Sequence, residues 1–80
     1  MSTLPKARPE PRALRVTFAK HSFTVHLSDG RALSVPYAYS ARLAEATAKQ
    51  RAEYELIGRG IGIHWPQIDE DLSVAGLLRG

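Results

Sequence analysis

Apolar and polar residues alternate along the first half of the chain. The alternating apolar positions are, in chain order, Leu14, Val16 and Phe18; Phe23, Val25 and Leu27; and Leu33 and Val35. A period of two residues is typical of strands with one buried face. The pattern therefore predicts a three-stranded antiparallel meander.

The register of this meander follows from keeping the apolar side chains on one face, because a slip of one residue turns every side chain over. A loop with an even number of residues pairs Phe18 with Phe23. A three-residue loop with Gly30 in the left-handed region pairs Leu33 with Val25. Gly30 is therefore expected to be a structural residue, and both hairpins contribute to one continuous apolar face.

The middle of the chain is rich in residues that favour helix. Ser40 is a candidate cap for a short helix over residues 41–46, and Thr47 with Gln50 has the spacing of a capping box. A second short helix is expected from residue 48 to about residue 56. Glycines follow at positions that would end it.

The last third of the chain returns to alternation and then to a helical pattern. Residues 61–65 predict a short fourth strand, which Pro66 ends. Trp65 supplies the largest single apolar surface for a small core, so Trp65 and Pro66 are expected to be structural. Asp71 or Ser73 is expected to cap a final helix.

These elements predict a small single α+β domain over residues 13–80. It contains an antiparallel three-strand meander, a fourth short strand, two short helices and a C-terminal helix. An 80-residue chain has the length of one domain. Residues 1–12 contain three prolines and few large apolar side chains. This basic segment is expected to be a flexible arm, because it cannot bury enough surface to offset its ordering entropy.

Composition narrows the class of protein. The chain has no cysteine, which excludes disulfides and thiolate chemistry. It has no apolar run of the roughly 18 residues that a membrane span needs, and no secretory signal. We therefore expect a cytoplasmic protein with no membrane partner. The net charge of +3 permits contact with nucleic acid. The candidate nucleic-acid-binding residues lie near the N-terminus, at Lys6, Arg8, Arg12 and Arg15.

One stretch, GIGIHWPQIDEDLS, concentrates chemically active side chains. His64 followed by Asp69, Glu70 and Asp71 could bind a divalent metal or support acid–base chemistry. However, acids are also favoured at the start of a helix, and the spacing matches no known set of metal ligands. The favoured interpretation is a structural corner whose acids form a partner-binding edge. No catalytic residue, metal site or cofactor is predicted.

Two further residues are candidates for contact with a partner. Arg59 and Tyr39 belong to a set of interleaved aromatic and arginine residues in the middle of the chain. Such residues are enriched at the energetic centres of interfaces. The alternative is that they pack on a small core with the arginine head groups in solvent.

Several motifs together resemble one bacterial family. They are LSDGR at residues 27–31, RLxxAT at residues 42–47, QR at residues 50–51, LIG at residues 56–58 and HWPxxDEDxS at residues 64–73. The sequence resembles the domain-of-unknown-function family numbered twenty-four forty-two over almost all of its length beyond the arm. Two positions depart from the family pattern, since Ala41 replaces a frequent proline and Tyr54 replaces a frequent tryptophan.

The resemblance supplies no catalytic residues, and what it implies is an antitoxin-like role. Family members are often encoded beside another small domain, in an arrangement similar to a toxin–antitoxin pair, with this family as the antitoxin-like half. We therefore expect a protein-binding module whose partner is the product of a neighbouring gene, or a regulatory protein. A DNA-binding, autoregulatory protein that uses the basic arm is the alternative, and a small metalloprotein or enzyme is a weaker one. An exposed edge strand would also allow a homodimer.

Overall fold

The computed structural model of the protein describes residues 11–80. Most of the predicted arm, including Lys6 and Arg8, lies outside the described residues. Residues 11–80 form two antiparallel sheets of three strands each and three short helices, the last of them at the C-terminus. The predicted α+β class is confirmed.

The first sheet is the predicted meander, in the order β1-β2-β3. Its strands are β1 (Ala13–Phe18), β2 (Ser22–Leu27) and β3 (Ala32–Pro36). Phe18 pairs with Phe23, and Leu33 pairs with Val25, so the predicted register of both hairpins is confirmed. Gly30 has a φ of 92° in the turn between β2 and β3, where a side chain would be strained.

The alternation predicted for β1 is wrong at Leu14, the first of its three apolar positions. The register shifts between Ala13 and Arg15, as in a β-bulge, and this places Leu14 in solvent with 62% of its surface exposed. Ala13 is buried in its place. Gly60 lies close to the Ala13 backbone, and a side chain at Gly60 would collide with the Ala13 carbonyl oxygen.

The helices are α1 (Ala41–Glu45), α2 (Ala48–Ala52) and α3 (Val74–Arg79). Ser40 caps α1 by accepting a hydrogen bond from the Leu43 N–H, and Thr47 and Gln50 form the predicted capping box. Of the two predicted caps for the last helix, Ser73 is the residue that performs this role.

The second sheet was only partly predicted. Its strands, in the order β4-β5-β6, are β4 (Glu55–Ile57), β5 (Gly62–Trp65) and β6 (Glu70–Ser73). The predicted fourth strand is the central strand β5. The predicted extension of α2 to about residue 56 is wrong, because those residues pair with β5 as β4. The acids expected to start the last helix lie instead in or beside β6.

The inner faces of the two sheets share one hydrophobic core. Phe23 of the first sheet and Trp65 of the second are both fully buried, and their rings meet edge to face with centroids 5.7 Å apart. The Trp65 indole N–H donates a hydrogen bond of 2.9 Å to the Arg51 carbonyl oxygen, so its polar group is satisfied. Pro66 follows directly and begins the turn that leads to β6. Within residues 11–80, no helix is long and apolar enough to cross a membrane.

Candidate partner-binding face on the second sheet

The second sheet presents a polar row on the side that faces away from the core. Ile63 and Trp65 of β5 point inward and are fully buried, so His64 between them points outward. The register places Glu55 of β4 and Asp71 of β6 on either side of His64. We call Glu55, His64 and Asp71 the His64 row: an imidazole flanked by two carboxylates across three strands.

Hydrogen bonding orients the imidazole in this row. His64 Nδ1 lies 2.5 Å from Asp71 Oδ1. An ionised carboxylate only accepts hydrogen bonds, so Nδ1 carries a proton and donates to Asp71. This bond holds the ring against β6, and within residues 11–80 Nε2 forms no hydrogen bond.

An apolar surface adjoins the His64 row on the same side of the sheet. Ile57 pairs with Gly62, two residues from His64 along β5, and 42% of its surface is exposed. A side chain at Gly62 would meet the Ile57 side chain at 2.9 Å, so the glycine makes room for Ile57 to lie over β5. Ile61, just before β5, is also exposed. The outer face of the second sheet therefore combines acids with exposed isoleucine.

The three acids predicted to form one edge have three different environments. Asp69 lies in the turn before β6 with a φ of 52°, and its side chain is 89% exposed near Arg42. Glu70 accepts hydrogen bonds from the Ser40 hydroxyl and the Asp71 N–H, which ties β6 to the start of α1. Only Asp71 joins His64. Asp71 and Glu70 are neighbours in β6 and point to opposite faces of the strand, so the contribution of Asp69 and Glu70 to a partner-binding edge stays a prediction.

The other two predicted contact residues lie in turns. Arg59 is in the β4–β5 turn with a φ of 60°, and Tyr39 is in the turn between β3 and α1 with 46% of its surface exposed. In the described part of the chain, neither forms a hydrogen bond or ion pair with the His64 row.

Sequence reasoning missed Glu55. Glu55 was assigned to a helix, and it lies beside His64 only because β4 pairs with β5. A usable signal was present: Leu56 and Ile57 precede the glycines at positions 58 and 60, and further isoleucines follow them. Apolar residues on both sides of a short glycine-containing loop favour a hairpin.

Two further electrostatic features concern metal binding and the carboxyl group of Asp29. No group of three or more His, Cys, Asp or Glu side chains within residues 11–80 is arranged to hold a metal ion. In the β2–β3 turn, the Arg31 backbone N–H and guanidinium both donate to Asp29. These hydrogen bonds, the backbone one first, lower the pKa of the Asp29 carboxyl below its ordinary value.

Two of the four candidate nucleic-acid-binding residues lie in the described region. Arg12 and Arg15 are both exposed. The Arg12 backbone N–H donates to the Ser28 hydroxyl, which fixes the chain at the start of β1. Arg15 pairs with His26 on the outer face of the first sheet.

Comparison with known proteins identifies the family. The family described as "Protein of unknown function (DUF2442)" matches residues 13–80. The chain belongs to this family. The family resemblance drawn from the sequence motifs is thus confirmed, and the description of the family carries no activity with it.

Two solved structures are similar to this chain. A protein of unknown function from Rhodospirillum rubrum is 32% identical, with a TM-score of 0.81 over 90% of this chain and 89% of the other. The uncharacterized protein CV0863 from Chromobacterium violaceum is 24% identical, with a TM-score of 0.74 over 85% of this chain and 64% of the other. The second likeness concerns the fold alone. No curated protein matches the chain.

Proposed function

We propose that this protein is a non-enzymatic protein-binding module whose partner docks on the outer face of the second sheet. The observation that carries the proposal is the His64 row, which places two carboxylates and an oriented imidazole beside the exposed Ile57. Glu55, Ile57 and Asp71 are all exposed. A polar row beside an exposed apolar side chain is the composition of an interface centre and its rim.

The charge of this face defines the chemistry of the partner. Glu55 and Asp71 favour arginine or lysine, and a carboxylate accepts two parallel hydrogen bonds from one guanidinium. Ile57 favours an apolar side chain next to that cation. The partner surface is therefore basic with an apolar residue at its centre, and the acids would also accelerate its association.

The neighbouring gene product is the proposed partner. The family resemblance supports this choice, since family members are often encoded beside another small domain in an antitoxin-like arrangement. A toxin that acts on RNA would carry a basic surface, and an acidic face on this chain would cover it. The proposed role is therefore that of the antitoxin-like or regulatory half of such a pair.

The test is co-expression of the tagged chain with its neighbouring open reading frame, followed by affinity measurement on the purified complex. Glu55→Gln and Asp71→Asn should each raise the Kd about fivefold to tenfold, with a larger effect at low salt. Glu45→Gln removes one negative charge at the exposed end of α1, from a residue that does not belong to the second sheet, and serves as the matched control.

The outcomes separate two failures. If no complex forms, the neighbouring product is not the partner and the proposed antitoxin-like role is overturned. If a complex forms and both face variants bind like Glu45→Gln, the module binds elsewhere and the outer face of the second sheet is not the interface.

DNA binding is the second candidate, and the outer face of the first sheet favours it. Arg15 lies on that face, and strands β1, β2 and β3 contain no carboxylate. Binding to operator DNA that falls steeply with added salt would support this function. Arg15→Gln should then weaken binding and reduce the salt dependence, whereas Asp71→Asn should not.

A further inference from the structure

A second region of the molecule has the properties of a ligand site, and it lies apart from the His64 row. A cleft of about 380 Å³ opens between the turn after β1 and the beginning of α2. Its lining consists of Phe18, Ala19, Lys20, Tyr37, Ala48 and Arg51. This volume is at the small end of the range of about 300–1,000 Å³ that small-molecule pockets occupy.

The cleft is positively charged. Lys20 and Arg51 are two of its lining residues, and within residues 11–80 no carboxylate lines it. The remaining polar side chain is that of Tyr37, whose hydroxyl donates a hydrogen bond of 2.7 Å to the Ala19 carbonyl oxygen. Two cations in a lining that, in the described part of the chain, includes no carboxylate favour an anion that carries more than one negative charge.

Arg51 is held in place before any ligand arrives. Its Nε donates to the Leu43 carbonyl oxygen at 2.8 Å, and one terminal nitrogen donates to the Ala44 carbonyl oxygen at 3.1 Å. The guanidinium carbon lies 3.7 Å from the centre of the Tyr37 ring. A guanidinium has five N–H donors, so within the described residues this one retains donors for a ligand. Its fixed position lowers the entropy cost of binding.

The other walls of the cleft are apolar. Phe18 is half-buried and packs on Tyr54, with ring centroids 5.8 Å apart. Tyr37 is buried, and Ala48 adds a methyl group. A ligand that fits the cleft therefore has an anionic end and an apolar or aromatic body, because a bare anion would leave these walls uncovered.

We propose that this cleft binds a small phosphate monoester, with the phosphate between Lys20 and Arg51 and the organic group against Phe18. A phosphate monoester carries close to two negative charges at neutral pH, which matches the two cations better than a single carboxylate does. The planar fork of arginine also matches the geometry of phosphate oxygens. This site does not depend on the proposed partner-binding function.

The experiment is an NMR titration of the full chain, in which backbone amide shifts are followed as adenosine 5′-monophosphate is added. Adenosine and inorganic phosphate are titrated separately as the two halves of the probe. The expected shifts concentrate at residues 18–20, 37 and 48–51, with weaker binding of phosphate and none of adenosine. Lys20→Gln should raise the Kd for the nucleotide about fivefold to tenfold, because one charge-assisted contact is lost.

Lys49→Gln is the matched control. It makes the same chemical change at an exposed position of α2 that does not line the cleft, and its Kd should stay close to that of the unaltered chain. Equal weakening by Lys20→Gln and Lys49→Gln would overturn the site, because general charge would then explain the binding. Equal affinity for inorganic phosphate and the nucleotide would overturn the assigned organic group.

A short DNA duplex provides the last arm of the test. Shifts at the same amides with the duplex, together with none from the mononucleotide, would overturn the small-molecule proposal and assign the cleft to a nucleic-acid backbone. Shifts with the mononucleotide that the duplex does not reproduce would support it.

Discussion

The two sheets of this protein have the same strand topology, but their outer faces differ in the residues that flank the central histidine. Each consists of three antiparallel strands, and each carries a histidine on the outer side of its central strand. His26 lies between Arg15 and Ala32, and its Nε2 is 3.0 Å from the Thr17 hydroxyl oxygen. His64 lies between two carboxylates.

This difference indicates that packing constrains the inner faces of the domain, whereas the charge of each outer face can vary independently. The inner faces meet in one core, so their residues are chosen by volume and shape. The outer faces do not meet, so each can acquire its own charge without altering the fold. Substitutions in the His64 row therefore test the proposed partner binding, while substitutions at Phe23 or Trp65 test stability.

The largest expected effect on stability comes from removing the side chain of Trp65, which packs between the two sheets. Trp65→Ala should lower the free energy of unfolding by about 3–5 kcal/mol, because it deletes a fully buried ring that packs against Phe23. Urea denaturation followed by circular dichroism measures this loss. Trp65→Phe keeps an aromatic ring and loses the hydrogen bond to Arg51, so a smaller loss is expected. A cost below about 1 kcal/mol for the alanine variant would contradict a shared core.

The next test compares one glycine from each sheet. Gly30 and Gly60 have nearly equal φ values, 92° and 91°. A side chain at Gly30 meets nothing within 4 Å, whereas one at Gly60 would lie 3.1 Å from the Ala13 nitrogen and closer still to its carbonyl oxygen. Gly30→Ala should therefore cost only the backbone strain of about 1 kcal/mol, and Gly60→Ala about 3 kcal/mol.

Thermal unfolding of both glycine variants measures the difference directly. Because the backbone strain is common to both variants, the additional loss of stability in Gly60→Ala measures how tightly the β4–β5 turn packs on β1. Equal losses of stability would mean that the two sheets do not approach each other closely at this point.

The smallest expected effect concerns β1, where the first sheet meets that turn. Leu14→Thr should change the free energy of unfolding by less than about 0.5 kcal/mol, because Leu14 is exposed. Val16→Thr introduces a hydroxyl at a buried position and should cost about 1–3 kcal/mol. Chemical denaturation of the two variants gives both values. A large loss at Leu14 would show that its side chain belongs to the core and that the bulge is absent.

The first sheet could be predicted from the sequence because its strands are long enough to show a period. Five or six residues with alternating apolar side chains, joined by short loops, leave one register that keeps Phe23 and Val25 on the inner face. The exception was Leu14. A bulge interrupts the alternation with one extra residue, and the apolar pattern of β1 itself, with Leu14, Val16 and Phe18, does not show where that residue lies.

The second sheet could not be predicted in the same way. Strand β4 has three residues, too few to show alternation, and it follows residues that favour helix. Strand β6 begins with two acids, which are depleted in strands. His64 and Asp71 were both candidates from sequence, yet their pairing and the presence of Glu55 depend on the register of these two short strands.

The bulge at Leu14 also has a consequence for how the chain can change in length. Strand β1 holds one residue more than its ladder with β2 requires. A deletion at this position would restore a regular ladder and leave Val16 and every later side chain on its present face. Among the positions of β1, this is therefore where the loss of one codon is expected to disturb the ladder least.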